Sequence, residues 1–220
     1  MDRCRAVLFD WRGTLAHFPE PRWWVERALE SLGRPPDLAL VNSAVTGLRA
    51  AAALPEVREA ERHEDCSAAS HRSVTMRRFE LAGLDPDLAE ALYRVDFDPA
   101  SHPLYPDASE VLAALRARGV RVALVSDIHF DLCAVLAEHG IAKFVDAYVL
   151  SFEHGFQKPD RRMFTLALDA LGAEPGEALM VGDRETHDGG AASVGIATLL
   201  LPMPPTLRPR GLEVVLRMVG

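Results

Sequence analysis

The stretch AVLFDWRGTL, residues 6–15, decides the reading of this chain. Its opening run is apolar without alternation, the pattern of a strand covered on both faces of a sheet. The run stops on Asp10, and the Gly13-Thr14 pair that follows marks a turn. Such a strand delivers a carboxylate to the edge of a sheet. Two further segments repeat the pattern: RVALVSD at 121–127 and ALMVGD at 178–183. FVDAYVLS at 144–151 and IATLLLP at 196–202 predict two more strands. Helical patterns lie between them. DASEVLAALRARG at 107–119 has an Asp to cap its start and a Gly to close it, and FDLCAVLAEHG and RRMFTLALDALG follow the same grammar. Strands alternating with helices predict an α/β domain with a doubly wound parallel sheet. In such sheets ligands bind beyond the carboxyl ends of the strands. The three acidic strand ends are therefore expected to converge.

The segment 17–102 reads differently. PRWWVERALESLG, LALVNSAVTGLRAAAAL, EVREAERHEDCSAASHRSVTMRRFELAG and DPDLAEALYRVDF carry helical periodicity and no strand signal. Proline-rich HFPEPR and DPASHPLYPD flank it. These features predict an all-helical insertion, 17–102, in a core formed by 1–16 and 103–220. The chain has 220 residues, 49% of them hydrophobic, enough for one large domain or a domain with an insertion. No apolar run approaches the roughly 20 residues of a membrane span. The N-terminus lacks the apolar region and cleavage site of a secretory leader. Three cysteines, Cys4, Cys66 and Cys133, are too scattered for a disulfide framework, so a reduced cytoplasmic setting is expected. A net charge of −8 with scattered arginines argues against nucleic acid as a partner.

Four signals line up in order: FDWRGTL at Asp10, LVSD at Ser126, GFQKPD at Lys158, and VGDRETHD at Asp183 and Asp188. Their order and spacing resemble the haloacid dehalogenase superfamily, whose members are mostly phosphatases. The resemblance covers the whole chain, with a Rossmann-like core and a helical cap after the first motif. It implies Asp10 as the nucleophile that takes the phosphoryl group. It implies Mg2+ held by Asp10, the backbone carbonyl of Arg12, and Asp183, with Asp188 in support. Lys158 would balance the charge on Asp10 and the phosphate. Ser126, with Asp127 and the neighbouring backbone N–H groups, would hold the phosphoryl oxygens. The chemistry needs these groups. A carboxylate attacking a phosphate dianion meets charge repulsion, which a hard cation and an ammonium relieve. Lys158 is one of only two lysines, in a chain that otherwise uses arginine. A compact ammonium is required there rather than a planar fork. The substrate implied is a small phosphorylated metabolite, with no nucleic-acid or membrane partner.

Arg12 departs from the family pattern. Phosphatases of this family usually carry Asp at that position, to protonate the leaving group and then activate water. A guanidinium titrates far above neutrality and does neither. The backbone carbonyl at that position still serves a metal. Arg12 either engages the phosphate or a substrate carboxylate through its fork, or pairs with Glu185 or Asp127 and turns away. A substitute acid would come from His17, His63, Glu64, Asp65, His71, Asp127 or His129, although ERHEDCSAASH reads as a helix end and a solvated loop. His63, Cys66 and His71 make no convincing metal set. Two relatives lack the second Asp. The dehalogenases need no metal, but GDRETHD keeps the two-Asp pattern. Phosphonoacetaldehyde hydrolases begin with a similar Asp-Trp-Ala-Gly-Thr stretch and need a cap lysine, and residues 17–102 contain none. The expectation is a Mg2+-dependent phosphatase-like hydrolase. The alternatives are a metal-independent, dehalogenase-like hydrolase and a phospho-ligand binder with little turnover.

Overall fold

The computed structural model describes residues 4–204 and 206–220. Five strands form one parallel sheet: β1 (Ala6–Phe9), β2 (Arg121–Ser126), β3 (Ala147–Leu150), β4 (Ala178–Gly182) and β5 (Ala197–Leu200). Their order is β3-β2-β1-β4-β5. All five expected strands are present, each shorter than its apolar run. The sheet is covered on both sides, which explains why the strands read as continuous apolar runs. Val7 and Phe9 of β1 face one cluster, with the helix Ala108–Ala117 and the C-terminal helix Glu213–Met218. Ala6 and Leu8 face the other, with the helix Arg161–Leu171. This is a Rossmann-like, doubly wound α/β fold.

The strand order places the switch point between β1 and β4, because the chain runs β1-β2-β3 to one side and returns through β4-β5 to the other. Phe9 pairs with Val181 across that point. Asp10 and Asp183 follow within two residues of the pair, so the register puts both carboxylates at one crevice.

The segment between β1 and the helix Ala108–Ala117 contains five α-helices: α1 (Pro21–Ser31), α2 (Leu38–Ala52), α3 (Pro55–Ala60), α4 (Ala68–Leu81) and α5 (Pro86–Val95). Val25, Leu29, Val41, Phe79, Leu88 and Leu92 belong to a hydrophobic cluster drawn from these helices alone. The core helices are α6 (Ala108–Ala117), α7 (Cys133–Glu138), α8 (Ser151–His154), α9 (Arg161–Leu171) and α10 (Glu213–Met218). Two sequence expectations are corrected. EVREAERHEDCSAASHRS is no continuous pattern with a solvated end. A 3-10 turn at Glu61–Cys66 separates α3 from α4, and Ser67 caps α4 by accepting from Ser70 N–H. Glu64 on that turn is buried. Asp107 does not cap α6 with its side chain. Its carboxylate accepts from the backbone N–H groups of Arg210, Gly211 and Leu212 instead. A distant loop with three unpaired donors outcompetes the local cap. No single described helix is long and apolar enough to cross a bilayer.

Candidate active site

Asp10 leaves β1 with its backbone N–H donating to Val181 O at 2.9 Å, which pins it beside β4. Lys158 Nζ reaches Asp10 Oδ1 at 2.7 Å and Asp188 Oδ1 at 2.6 Å. All three side chains are buried. Asp188 Oδ2 accepts from the backbone N–H of Asp183 and of Arg184, both at 3.0 Å. Asp188 thus folds back onto the loop after β4; it is the first residue of the 3-10 turn Asp188–Val194, which has no side-chain cap. Gly182 makes room for this: a Cβ there would lie 2.2 Å from Asp188 Cγ. Gly13 has φ +87, and a Cβ on it would lie 2.4 Å from Asp183 Oδ2. The glycine admits both the turn and the close approach of the carboxylate.

The charges set one another. Burial opposes the Lys158 cation, but Asp10, Asp188 and Asp127 outweigh it and hold the ammonium well above its usual range. Lys158 and two backbone donors pull Asp188 below the ordinary carboxylate value against its burial. Burial pushes Asp10 up, with Asp188 adding to the push and Lys158 opposing it. Burial, with Asp10 and Asp188 nearby, pushes Asp183 up to about 7. Asp10 Oδ2 and Asp183 Oδ1 are buried and have no hydrogen-bond partner among the described residues. Oxygens of Asp10, Asp183 and Asp188 lie within 4.8 Å of one another. Two orphaned oxygens in a crowded carboxylate cluster fit a hard divalent cation.

Ser126 ends β2 and is buried. Asp127 Oδ1 accepts from the Lys158 backbone N–H at 2.8 Å. Its carboxylate ties the loop after β2 to the loop that carries Lys158 and is not free for an anion. Burial pushes this group up to about 7 as well.

Arg12 does not pair with Glu185 or Asp127. Its Nη2 donates to Asp96 Oδ1 at the end of α5, and its guanidinium stands 5.4 Å from the Phe18 ring centroid. The turn of residues 11–16 explains this. Trp11 O accepts from the N–H groups of Leu15 and Ala16, so the turn is tight and Arg12 projects towards the helical segment. His102 braces it from below. Trp11 Nε1 donates to His102 Nδ1 at 3.2 Å, and His102 Nε2 lies 2.9 Å from Asp96 O. Burial, with Arg12 nearby, drives His102 down to about 4, so the ring is neutral.

The other acid candidates separate. His17 lies beside Tyr105, 3.4 Å from its hydroxyl. His63 is not a member of the Asp65–His71–His129 cluster, and its backbone carbonyl accepts from Ser70 Oγ. His71 and His129 stack with ring centroids 3.3 Å apart and planes 3° apart. Asp65 Oδ1 lies 3.7 Å from His129 Nδ1 and 3.9 Å from His71 Nε2. Asp65, His71 and His129 offer ligand atoms within 4.8 Å of one another. Parallel rings cannot both aim a lone pair at one ion, so this stack is not a ligand set as folded. Burial, with His129 nearby, lowers His71 to about 4.

Three supports had no sequence signal. Arg210 Nε donates to Gly13 O at 2.7 Å and braces the turn after Asp10. Gln157 Oε1 accepts from Asp65 N–H at 3.1 Å, and Ser151 Oγ donates to Asp65 O at 2.7 Å. These two bonds dock the 3-10 turn of the helical segment next to Lys158.

A buried carboxylate, a buried ammonium and a carboxylate cluster thus meet at the switch point. The haloacid dehalogenase-like hydrolase model matches residues 4–195, and the chain belongs to that family. It is 37% identical over 147 residues to a phosphoserine phosphatase of Thermus thermophilus, a match covering 62% of this chain and 58% of that protein. It is 29% identical over 202 residues to a glyceraldehyde 3-phosphate phosphatase of Methanopyrus kandleri, covering 89% of this chain and 82% of that protein. The solved HAD-hydrolase from Bacillus subtilis bound to magnesium superposes with TM-score 0.73 at 20% identity, over the whole of both chains.

Proposed function

We propose that this chain is a Mg2+-dependent phosphomonoesterase of small phosphorylated metabolites, working through a phosphoryl-aspartate on Asp10. The observation that carries the reading is the Asp10–Lys158–Asp188 bridge beside the two orphaned oxygens of Asp10 and Asp183. The phosphatase relatives support the substrate class. Asp10, Asp183 and the backbone carbonyl of Arg12 would hold the metal, with Asp188 in support. When bound, the cation supplies charge neutralisation at the phosphate and at the attacking carboxylate. Asp10 is the carboxylate that would attack the phosphorus, with its Oδ1 held by Lys158. Lys158 keeps its proton throughout and balances the transferred charge. Ser126 and the backbone N–H of Asp127 hold phosphoryl oxygens. Residues 17–102 serve as a cap on the core formed by 1–16 and 103–220, and exclude water during transfer.

Arg12 leaves the leaving group without a proton donor at the usual place. General acid help is worth about 10²–10⁴-fold. Aryl and acyl phosphates, which leave unaided, are the favoured substrates. The test is phosphate release from an aryl phosphate with Mg2+. Wild type turns over, and EDTA abolishes the signal. Arg12→Asp raises turnover of alkyl phosphates by about 10²–10⁴-fold. EDTA-insensitive turnover would sink the metal reading in favour of dehalogenase-like chemistry. The tie between Arg12 and Asp96 favours a second reading, a phospho-ligand binder with little turnover. Ligand affinity without any phosphate release would establish that one.

Metal affinity depends on pH with a defined sign. Asp183 sits at about 7 in the metal-free fold, above its ordinary value of 3.8. Below about pH 7 the metal must displace a proton, so its apparent affinity falls roughly tenfold per pH unit. Above that value the curve flattens. The metal-free fold itself loses stability as pH rises from about 4 to 7, because the folded state binds the extra proton there. Titration calorimetry with Mg2+ at pH 5.5, 6.5 and 7.5 checks it, and a pH-independent affinity contradicts it.

A further inference from the structure

We infer that Arg12 anchors a carboxylate carried on the leaving group of the substrate, inside a cavity of the helical segment. This rests on the phosphatase reading and names its substrate class: the phosphate of an organic acid with an apolar body.

Arg12 joins two places. Its main chain is two residues from Asp10, within about 7 Å along the chain. Its side chain forms part of the wall of a cavity of about 310 Å3. Trp24, Leu48, Phe79, Leu92 and Tyr93 supply apolar wall, and Asp96 lies beside Arg12. Every other lining residue belongs to the segment 17–102, so Arg12 is the contribution of the core. The volume lies at the lower end of the roughly 300–1,000 Å3 of small-molecule sites. Asp10 is not itself part of the lining, so Arg12 is the residue that links this space to the phosphate site by chain neighbourhood.

The guanidinium has capacity to spare. It carries five N–H donors in a rigid fork. Nη2 goes to Asp96, while Nε is buried with no hydrogen-bond partner among the described residues. A buried, unpaired donor on a cation calls for an anionic acceptor. The other guanidinium lining the cavity, that of Arg78, is already held by Glu61 at 3.2 Å and Glu64 at 3.3 Å. Asp96 has a second neighbour of its own, with Oδ2 3.7 Å from His129 Nε2. Asp96 therefore engages the guanidinium through Nη2 alone and leaves donors of the fork without an acceptor. A planar carboxylate matches those donors, and the apolar walls match a hydrocarbon body. At a position where the family's phosphatases use an acid, this chain has placed a recognition group.

The experiment measures binding in the Asp10→Asn protein with Mg2+, so that turnover plays no part. The probes are phenyl phosphate, 4-carboxyphenyl phosphate and 1,4-phenylene bisphosphate. The carboxylated probe is expected to bind at least tenfold more tightly than phenyl phosphate, the worth of one charge-assisted pair. Arg12→Gln in the same background should bring the two within twofold. Asp96→Asn releases the guanidinium and should raise the preference, a change opposite in direction and independent of any folding defect in Arg12→Gln. Equal binding of the first two probes, or a preference that survives Arg12→Gln, overturns the inference. A bisphosphate at least tenfold tighter than the carboxylate overturns the choice of anion. Phenyl phosphate that binds without any carboxylate preference leaves the phosphatase reading standing and removes this one. If no probe binds, both fall.

Discussion

Lys158→Met is expected to abolish turnover and to destabilise the fold by about 3–5 kcal/mol, the cost of leaving a buried charge without its partner. The ammonium is 2% exposed and touches two carboxylates, each itself buried. Methionine fills the volume but leaves Asp10 and Asp188 facing each other with no cation between them. Their values then rise, and the sign follows. The folded variant binds protons that the unfolded chain has released, so its stability falls as pH rises above about 4. The deficit against wild type is smallest in mild acid and grows towards neutrality. Mg2+ should recover part of it, because the metal replaces some of the missing positive charge. Denaturant melts of both proteins at pH 5 and pH 7.5, with and without Mg2+, read all of this. A deficit that is constant with pH and indifferent to Mg2+ would mean that methionine merely packs badly. Lys158→Arg should not rescue activity, since a planar fork does not place one compact charge between two oxygens.

What was legible in the sequence was what local grammar carries. Each core strand is a short apolar run, and three of them end in the acidic or Ser-Asp residues that the sheet brings to one edge. Alternation of strand and helix carries the parallel sheet and the convergence of its acidic strand ends, whereas the strand order and the switch point it creates are visible only in the fold. The glycines at 13 and 182 were visible, although their reason was not: it lies in carboxylates that fold back onto them. What stayed illegible were partners remote in sequence. Asp96 lies 84 residues from Arg12, and Arg210 lies 197 residues from the carbonyl it braces. Nothing local marks either one. Asp107 misled because a capping residue and a loop-binding residue look alike. Its carboxylate chose three remote donors over one nearby. The turn at Glu61–Cys66 misled for the converse reason: its charged composition reads as solvated, yet Gln157 and Ser151 give its backbone partners on the core.

Asp10→Asn should part activity from stability, in contrast to Lys158→Met. Turnover is expected to fall by at least about 10⁴-fold, since removing a nucleophile costs on that order or more. Stability is expected to hold or to rise slightly. The reason lies in the electrostatics of the cluster. Asp10 is buried, is pushed up by that burial and by Asp188, and has one oxygen without a partner. Asparagine keeps the shape and can still accept from Lys158 through its carbonyl, while one crowded negative charge disappears. Lys158 retains Asp188 at 2.6 Å, so no cation is orphaned. The cost moves to the metal, because one of its anionic ligands becomes a neutral amide, and Mg2+ should protect this variant against denaturant less than it protects wild type. A protein that is equally or more stable without metal, and nearly inactive, is the signature of strain held for catalysis. Phosphate release and denaturant melts on the same preparation decide it. Turnover within tenfold of wild type would show that water attacks directly and Asp10 is no nucleophile. A loss of several kcal/mol would show instead that Asp10 is a structural partner of Lys158, held there for the fold rather than for the reaction.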